Sequence, residues 1–213
     1  ARPTLDRRLG LAPVEPTPGH LARLVRLLAF EVNRTHAWAV ESGQITPSPA
    51  DSEQAEEKRE GAAAERSAPP AGSTPRVDPG VVADRLDAAY DGLLPDSRGL
   101  STSTPKRPRV LGWILPRLGI SGFYFPYTAE VSVAGDLPAA SSLFVTAHEM
   151  SHQRGVARED EANFLAFLAC RESGLPAARY AGALGAFGLA YASLWRAAPD
   201  SVNAMGKELL DPG

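Results

Sequence analysis

The sequence predicts an α+β fold that is mainly helical and carries a small mixed or antiparallel sheet. Apolar residues recur at helical spacing in the N-terminal segment and again after residue 140, whereas residues 110–133 are rich in β-branched and aromatic side chains. At 213 residues, the chain is long enough for one domain with a substantial core and excursions from it. We therefore expect a few short strands within an otherwise helical domain.

The first predicted element is a long helix within the N-terminal segment, residues 1–43. A proline-rich irregular stretch precedes it, and Thr17 followed by Pro18 is typical of an N-cap and a first helical position. We expect this helix to continue to about Ser42 and to face the core with one apolar stripe: Leu21, Leu24, Val25, Leu28 and Val32.

Residues 44–79 are predicted to be a disordered, low-complexity insert. They consist largely of Ala, Glu, Ser and Pro and contain almost no large apolar side chains. Such a segment cannot bury enough apolar surface to offset the entropy lost on ordering. Residues 80–213 then form the main domain, which is expected to be truncated at its C-terminus because residues 200–213 resemble an unfinished element.

The main domain is predicted to open with a short helix over residues 80–94, whose inward-facing residues are Val81, Val82, Leu86 and Tyr90. Strands are predicted at residues 110–114 and 123–133, where β-branched and aromatic residues cluster. Pro126 favours an edge strand or a break. An edge strand can align an extended peptide by β-augmentation, although an ordinary core strand would have the same composition.

Residues 148–152 have the sequence H-E-M-S-H, an H-E-x-x-H motif. On a helix, residues four apart lie on the same face, so two imidazoles can bind one zinc ion at about 2.0–2.1 Å each. Glu149 lies about 100° round the helix from His148, within reach of a water molecule activated by the metal. Gly155 offers a left-handed helix stop. The pattern predicts that His148 and His152 bind zinc and that Glu149 is the general base.

A zinc enzyme usually supplies three protein ligands and leaves a fourth position open. The other two histidines, His20 and His36, are far away in sequence and lie in a plain amphipathic helix, where His36 is expected to pack. Two nearby carboxylates remain as candidates. Glu159 shares a helix face with small residues that permit a close approach to the histidines: Ala162, Asn163, Ala166 and Cys170. Glu161 shares a face that is typical of a core: Phe164, Leu165 and Leu168. Glu159 is therefore favoured as the third ligand, and Glu161 is the alternative.

A last long helix is predicted over residues 177–197, after a turn at residues 174–176. It contains 16 uncharged residues in succession, a length between that of a buried core helix and that of a thin membrane span. We favour the buried helix. Four small residues would let neighbouring helices approach closely: Gly182, Gly185, Ala186 and Gly188.

Composition narrows the possible partners. The net charge is −3, from 22 basic and 25 acidic residues, so no nucleic-acid partner is expected. Cys170 is the single cysteine, which excludes an intrachain disulfide. The chain begins with Ala and shows no signal peptide, so we interpret it as an excerpt from a longer protein.

The metal motif and the segment after it resemble known zinc metallopeptidases. An H-E-x-x-H helix followed by a helix that opens E-x-x-A-N is similar to the gluzincin arrangement, in which the first Glu of the second motif is the third ligand; this matches Glu159. More narrowly, G-I-S-G-F-Y-F-P-Y-T-A-E-V (119–131), A-H-E-M-S-H-Q-R-G-V-A-R-E-D-E-A-N (147–163) and R-Y-A-G (179–182) resemble an uncharacterised bacterial family of membrane-anchored HExxH zinc metallopeptidases. The resemblance is strong over residues 107–195.

The resemblance implies a zincin-like active-site helix and a location on the extracytoplasmic face of the bacterial cell membrane, with the tether outside this chain. Two features depart from the usual pattern. Arg154 stands where many zinc peptidases carry an apolar residue, and the loop before Glu159 is short for a gluzincin. A metzincin site would need a histidine at position 158, which is Arg158.

These patterns predict a zinc-dependent peptidase that hydrolyses a peptide or protein substrate with a metal-activated water and Glu149 as general base. A tetrahedral intermediate needs a further hydrogen-bond donor, for which Tyr180 or Arg179 is the candidate, with Tyr124 or Tyr127 as alternatives. The second hypothesis is a zinc-binding, catalytically silent sensor or scaffold at the cell envelope. The third is a helical interaction module without metal.

Overall fold

The computed structural model of the chain describes residues 4–12, 14–45, 77–97, 122–125, 130–133 and 139–210. Within these ranges lie seven α-helices: α1 (Leu5–Arg8), α2 (Pro18–Glu41), α3 (Pro79–Leu93), α4 (Ala139–Gln153), α5 (Glu159–Glu172), α6 (Pro176–Ala197) and α7 (Pro199–Leu210). A 3₁₀ helix, Pro95–Ser97, follows α3. Residues 46–76 of the predicted insert and the predicted strand at 110–114 lie outside the described residues.

The predicted α+β class with a small sheet is wrong, because the described part of the chain is mainly helical. The strands in these ranges are two segments of four residues each, β1 (Gly122–Phe125) and β2 (Glu130–Val133), which form one antiparallel hairpin. In its register Gly122 pairs with Val133, and Phe125 pairs with Glu130. A single short hairpin does not form a layer of its own. The packed helices therefore define the architecture.

The N-terminal helix α2 lies along α6 and forms one of two core clusters with it. Its predicted start is confirmed, since the Thr17 hydroxyl accepts a hydrogen bond from the His20 amide at 3.2 Å. The buried residues of this cluster come from α2, α6 and the segment after α6: Val25, Leu28, Ala190, Leu194, Val202 and Met205. Leu24, predicted to face the core, is instead 44% exposed, so the buried stripe of α2 is narrower than its sequence indicates.

The second core cluster joins α3, α4 and α5 and lies under the H-E-x-x-H motif. The predicted helix over residues 80–94 is confirmed as α3, and its Leu86 and Tyr90 are fully buried. Val81, also predicted to face inward, is 47% exposed. Around Tyr90 pack small and apolar residues of α4 and α5: Ala147, Met150, Ala162, Leu165, Ala166, Ala169 and Cys170.

Glycines in α6 allow three helices to meet at close range. A Cβ atom at Gly182 would lie 2.6 Å from the Cβ atom of Cys170 on α5, and one at Gly185 would lie 2.7 Å from the ring of Phe144 on α4. Real side chains do not approach so closely, so a larger residue would require the helices to move apart or, at Gly185, the Phe144 ring to shift. The predicted close packing of α6 is confirmed at Gly182 and Gly185, which hold α4 and α5 side by side, but not at Gly188, where an added Cβ atom would meet nothing within 4 Å among the described residues.

No helix within the described ranges is both long and apolar enough to cross a membrane. Residues from Pro199 to Leu210 form helix α7, and whether this element is unfinished stays a prediction.

Candidate metal centre

Helix α4 presents both histidines of the H-E-x-x-H motif on one face. The Nε2 atoms of His148 and His152 lie 3.1 Å apart, and the two rings meet edge to face with centroids 4.8 Å apart. Helical spacing accounts for this pairing, since residues four apart are stacked on a helix surface. The helix ends at Gln153, and Gly155 takes φ +81°. The predicted left-handed stop after the second histidine is therefore confirmed.

Each histidine is oriented through its Nδ1 atom. Nδ1 of His152 lies 2.7 Å from the carbonyl oxygen of Val156, and Nδ1 of His148 lies 2.9 Å from Oδ1 of Asn163 on α5. Because a carbonyl oxygen can only accept, Nδ1–H of His152 is the donor, and the same tautomer suits His148. Both Nε2 atoms are then unprotonated and lie 3.1 Å apart, so each offers a lone pair to a metal ion bound between them.

Glu159, the first residue of α5, completes a group of three. Its Oε2 atom lies 3.2 Å from Nε2 of His148, and its Oε1 atom lies 3.6 Å from Nε2 of His152. Among the described residues, His148, His152 and Glu159 form a cluster that can hold a metal ion. The side chain of Glu159 is 76% exposed, whereas those of the two histidines are 14% and 15% exposed. The cluster therefore lies at the protein surface with its carboxylate toward solvent.

The spacing of these ligand atoms fits a tetrahedral ion. Bonds of about 2.0–2.2 Å at tetrahedral angles place neighbouring ligand atoms roughly 3.3–3.5 Å apart. The two Nε2 atoms lie 3.1 Å apart, and each lies close to this range from a different carboxylate oxygen of Glu159, at 3.2 Å from Oε2 and at 3.6 Å from Oε1. Two neutral imidazoles and one carboxylate are also a donor set that zinc enzymes use. The residues present therefore fit a zinc ion.

His148 is held in the form that binds metal. Burial, followed by the neighbouring His152, lowers the pKa of His148 below its usual value. A lowered pKa favours the neutral imidazole near neutral pH. Since only the neutral ring offers a lone pair to a cation, protons compete weakly for this ligand.

Glu149 lies beside the cluster on α4 but is buried, with 6% of its surface exposed. Burial, and then the negative charge of Glu159, raises the pKa of Glu149 to about 7. A carboxyl group with this proton affinity can exchange protons in neutral solution, as a general base must. A cation held by the three ligands would oppose part of this shift.

Glu161, the alternative third ligand, points elsewhere. Its Oε1 atom accepts a hydrogen bond from the Leu5 amide at 3.2 Å and lies 3.9 Å from Nε of Arg158. Its carboxylate thereby ties the start of α1 to α5. Glu161 is absent from the ligand cluster formed by the described residues.

We expect Glu159→Ala to weaken zinc binding at least about 100-fold, because it removes the carboxylate from a three-ligand set. Glu161→Ala is the matched control: it removes the same side chain two residues away and should leave the dissociation constant for zinc unchanged within about threefold. Competition against a chromophoric chelator measures both constants. Loss of affinity in the Glu161 variant alone would mean that α5 is rotated relative to α4.

The predicted oxyanion donors lie at the start of α6 or in the hairpin region. The ring of Tyr180 packs against the ring of His36 on α2, with centroids 5.0 Å apart. Arg179 donates from Nε to the carbonyl oxygen of Arg171 at 2.7 Å and lies over the Trp38 ring. Tyr124 belongs to β1, and residue 127 lies outside the described residues. The role of Tyr180 as a catalytic donor stays a prediction.

A comparison with protein families shows a match over nearly the whole chain. The family model described as "Protein of unknown function (DUF3810)" covers residues 1–212. No curated protein and no solved structure matches the chain. The likeness to membrane-anchored zinc metallopeptidases stays an interpretation of the sequence. Because the family model spans nearly the whole chain, the protein belongs to the DUF3810 family.

Proposed function

We propose that this protein is a zinc-dependent peptidase. The observation that carries the proposal is the convergence of His148, His152 and Glu159, each of which offers one ligand atom within 4.8 Å of the other two. The buried Glu149 in the same motif adds a proton acceptor. Three protein ligands together with an adjacent carboxyl group are typical of metal-assisted hydrolysis.

The residues divide into three roles. His148, His152 and Glu159 would hold zinc, and Asn163 and the Val156 carbonyl orient the two rings. When bound, zinc supplies Lewis-acid polarisation of the scissile carbonyl and activation of the attacking water. Glu149 would take a proton from the attacking water and pass it to the leaving amine, so that one carboxyl group would act first as base and then as acid.

The catalytic hypothesis is preferred to a silent zinc site for two reasons. A structural zinc site usually has four protein ligands, whereas the cluster among the described residues has three. A site without turnover also has no need of a buried carboxyl group such as Glu149. A zinc-binding sensor or scaffold at the cell envelope is the second candidate, and its distinguishing mark is full zinc occupancy without hydrolysis.

The substrate class follows from the chemistry of the site, and the location follows from the resemblance in sequence. We infer a peptide or protein substrate, because a metal, three ligands and a Glu base suit amide hydrolysis. The resemblance to membrane-anchored metallopeptidases supports a place on the extracytoplasmic face of the bacterial membrane, with the tether outside this chain.

Metal analysis combined with a cleavage assay tests this function. After purification in zinc-replete buffer, we expect about one zinc per chain, and we expect cleavage in a broad peptide library that stops with a chelator and returns with added zinc. The control is the same chelator treatment followed by magnesium, which prefers oxygen ligands and should not restore activity. Zinc content near zero would refute the proposal, and full zinc without any cleavage would favour the sensor or scaffold.

A further inference from the structure

Helix α3 contacts α4, which carries the H-E-x-x-H motif, at the residues that immediately precede each histidine. The hydroxyl group of Tyr90 donates to the carbonyl oxygen of Ala147, before His148, and lies 3.0 Å from Oγ of Ser151, before His152. Tyr90 is fully buried, so these polar contacts form away from water. If the buried hydroxyl group lost these contacts, it would be left unsatisfied, which costs stability. The contacts therefore fix the position of Tyr90 relative to α4.

A second contact forms where α4 ends. The guanidinium of Arg154 bonds Oδ1 of Asp91 at 2.6 Å and Oδ1 of Asp87, both on α3, and donates to the carbonyl oxygen of Ser97 at 3.3 Å. It also lies 5.5 Å from the centre of the Tyr90 ring. The side chain of Arg154 is only 2% exposed. A buried charge is tolerated only with close partners in good geometry, so its position is narrowly fixed.

Arg154 lies in the turn that orients the second histidine. The amide of Gly155 donates to the carbonyl oxygen of His152 at 2.9 Å. The carbonyl oxygen of the following residue, Val156, accepts from Nδ1 of His152 at 2.7 Å. Val156 is itself buried in the cluster that contains Tyr90. Since Arg154 is two residues before Val156, its anchored side chain restrains the carbonyl that fixes the tautomer and ring orientation of His152.

We propose that Arg154, anchored by Asp87 and Asp91, is a positioning residue of the metal centre. It acts through the turn at residues 154–156 and touches neither metal nor substrate. Partners that orient metal-binding histidines typically change metal affinity about 10- to 100-fold when they are lost. The inference rests on the proposed function, because it assumes that His152 is a metal ligand.

The test compares zinc affinity and metal geometry in the full chain. Arg154→Met keeps an unbranched, flexible side chain but removes its charge and its hydrogen bonds. We expect its dissociation constant for zinc to rise about 10- to 100-fold, with a changed d–d absorption spectrum after cobalt replaces zinc. Arg154→Lys should restore part of the affinity, because an ammonium group can still pair with one aspartate. Arg171→Met, at an exposed ion pair with Glu172, is the matched control and should bind zinc as the wild type does.

Several outcomes separate the inference from the proposed function. A folded Arg154→Met variant with the affinity and cobalt spectrum of the wild type would overturn the positioning role. If that variant does not fold, Asp91→Asn replaces it, since the Asp91 side chain is 43% exposed; unchanged affinity and spectrum there would equally overturn it. Wild-type protein that binds zinc but cleaves no peptide refutes the peptidase and leaves the inference standing. Wild-type protein that binds no zinc refutes both.

Discussion

Replacing either His148 or His152 by alanine is expected to abolish tight zinc binding. Four ligands at structural sites bind zinc with about 10–16 kcal/mol, so each ligand carries roughly 3 kcal/mol, or a factor of about 100 or more in affinity. Only one imidazole and the exposed carboxylate of Glu159 would remain, and water competes well against such a pair. Equilibrium dialysis against labelled zinc measures the loss.

His36→Ala is the control for the histidine variants. His36 lies on α2, where its ring packs against Tyr180, and it does not belong to the ligand cluster. The control therefore removes the same side chain as the His148 and His152 variants but leaves the cluster intact. We expect zinc affinity like that of the wild type. Retention of wild-type affinity by either His148→Ala or His152→Ala would show that the metal is bound elsewhere or not at all.

The local geometry of the metal centre follows from the sequence because it depends on short-range rules. Helical spacing alone brings His148 and His152 together, and a left-handed glycine ends the helix at Gly155. The choice of Glu159 over Glu161 also follows from helical periodicity, since small residues on one face permit close helix packing. Phe164, predicted to lie on a core face with Glu161, is nevertheless 42% exposed. Periodicity therefore predicts which side of the helix faces the core but not how many residues on that side are buried.

The contacts that cross the fold could not be read from the sequence. Arg154 is separated by 67 residues from Asp87 and by 63 residues from Asp91, and no local rule pairs them. As a sequence feature it is only an arginine in an unusual position. A charged residue next to a metal motif indicates that it has a partner, but the partners of Arg154 are known only from the position of α3 in the structure. The same holds for Tyr90, whose core position was predicted but whose hydrogen bond to Ala147 was not.

The fold class failed for a related reason. The high β-propensity of residues 110–133 predicted a sheet. Whether such residues form a sheet depends, however, on the neighbouring strands and side chains against which they can pack. In the described residues, the strands form only a single hairpin of β1 with β2, and helices build the core instead. Helical periodicity held over long segments, as in α2 and α6, because many turns reinforce the same pattern.

The second large effect is expected from Glu149→Gln, which should separate chemistry from metal binding. Glutamine keeps the size of the side chain but cannot take a proton from water, so peptidase kcat/KM should fall by about 10²–10⁴. Zinc affinity should change by less than about threefold, because Glu149 is not in the ligand cluster. Paired measurements of hydrolysis and of zinc stoichiometry on the same sample test both expectations.

Loss of folding is not expected to explain that result. In the metal-free protein, the pKa of Glu149 is raised from 4.5 to about 7, so the folded state disfavours its ionisation, and stability is lost as the pH rises through 7. Glutamine cannot ionise, so the metal-free variant should be at least as stable as the wild type at pH 8. Glu172→Gln, at the exposed end of α5, is the matched substitution and should keep full activity. Equal hydrolysis by Glu149→Gln and wild type, with equal zinc, would exclude Glu149 as the base and would require another proton acceptor for the reaction.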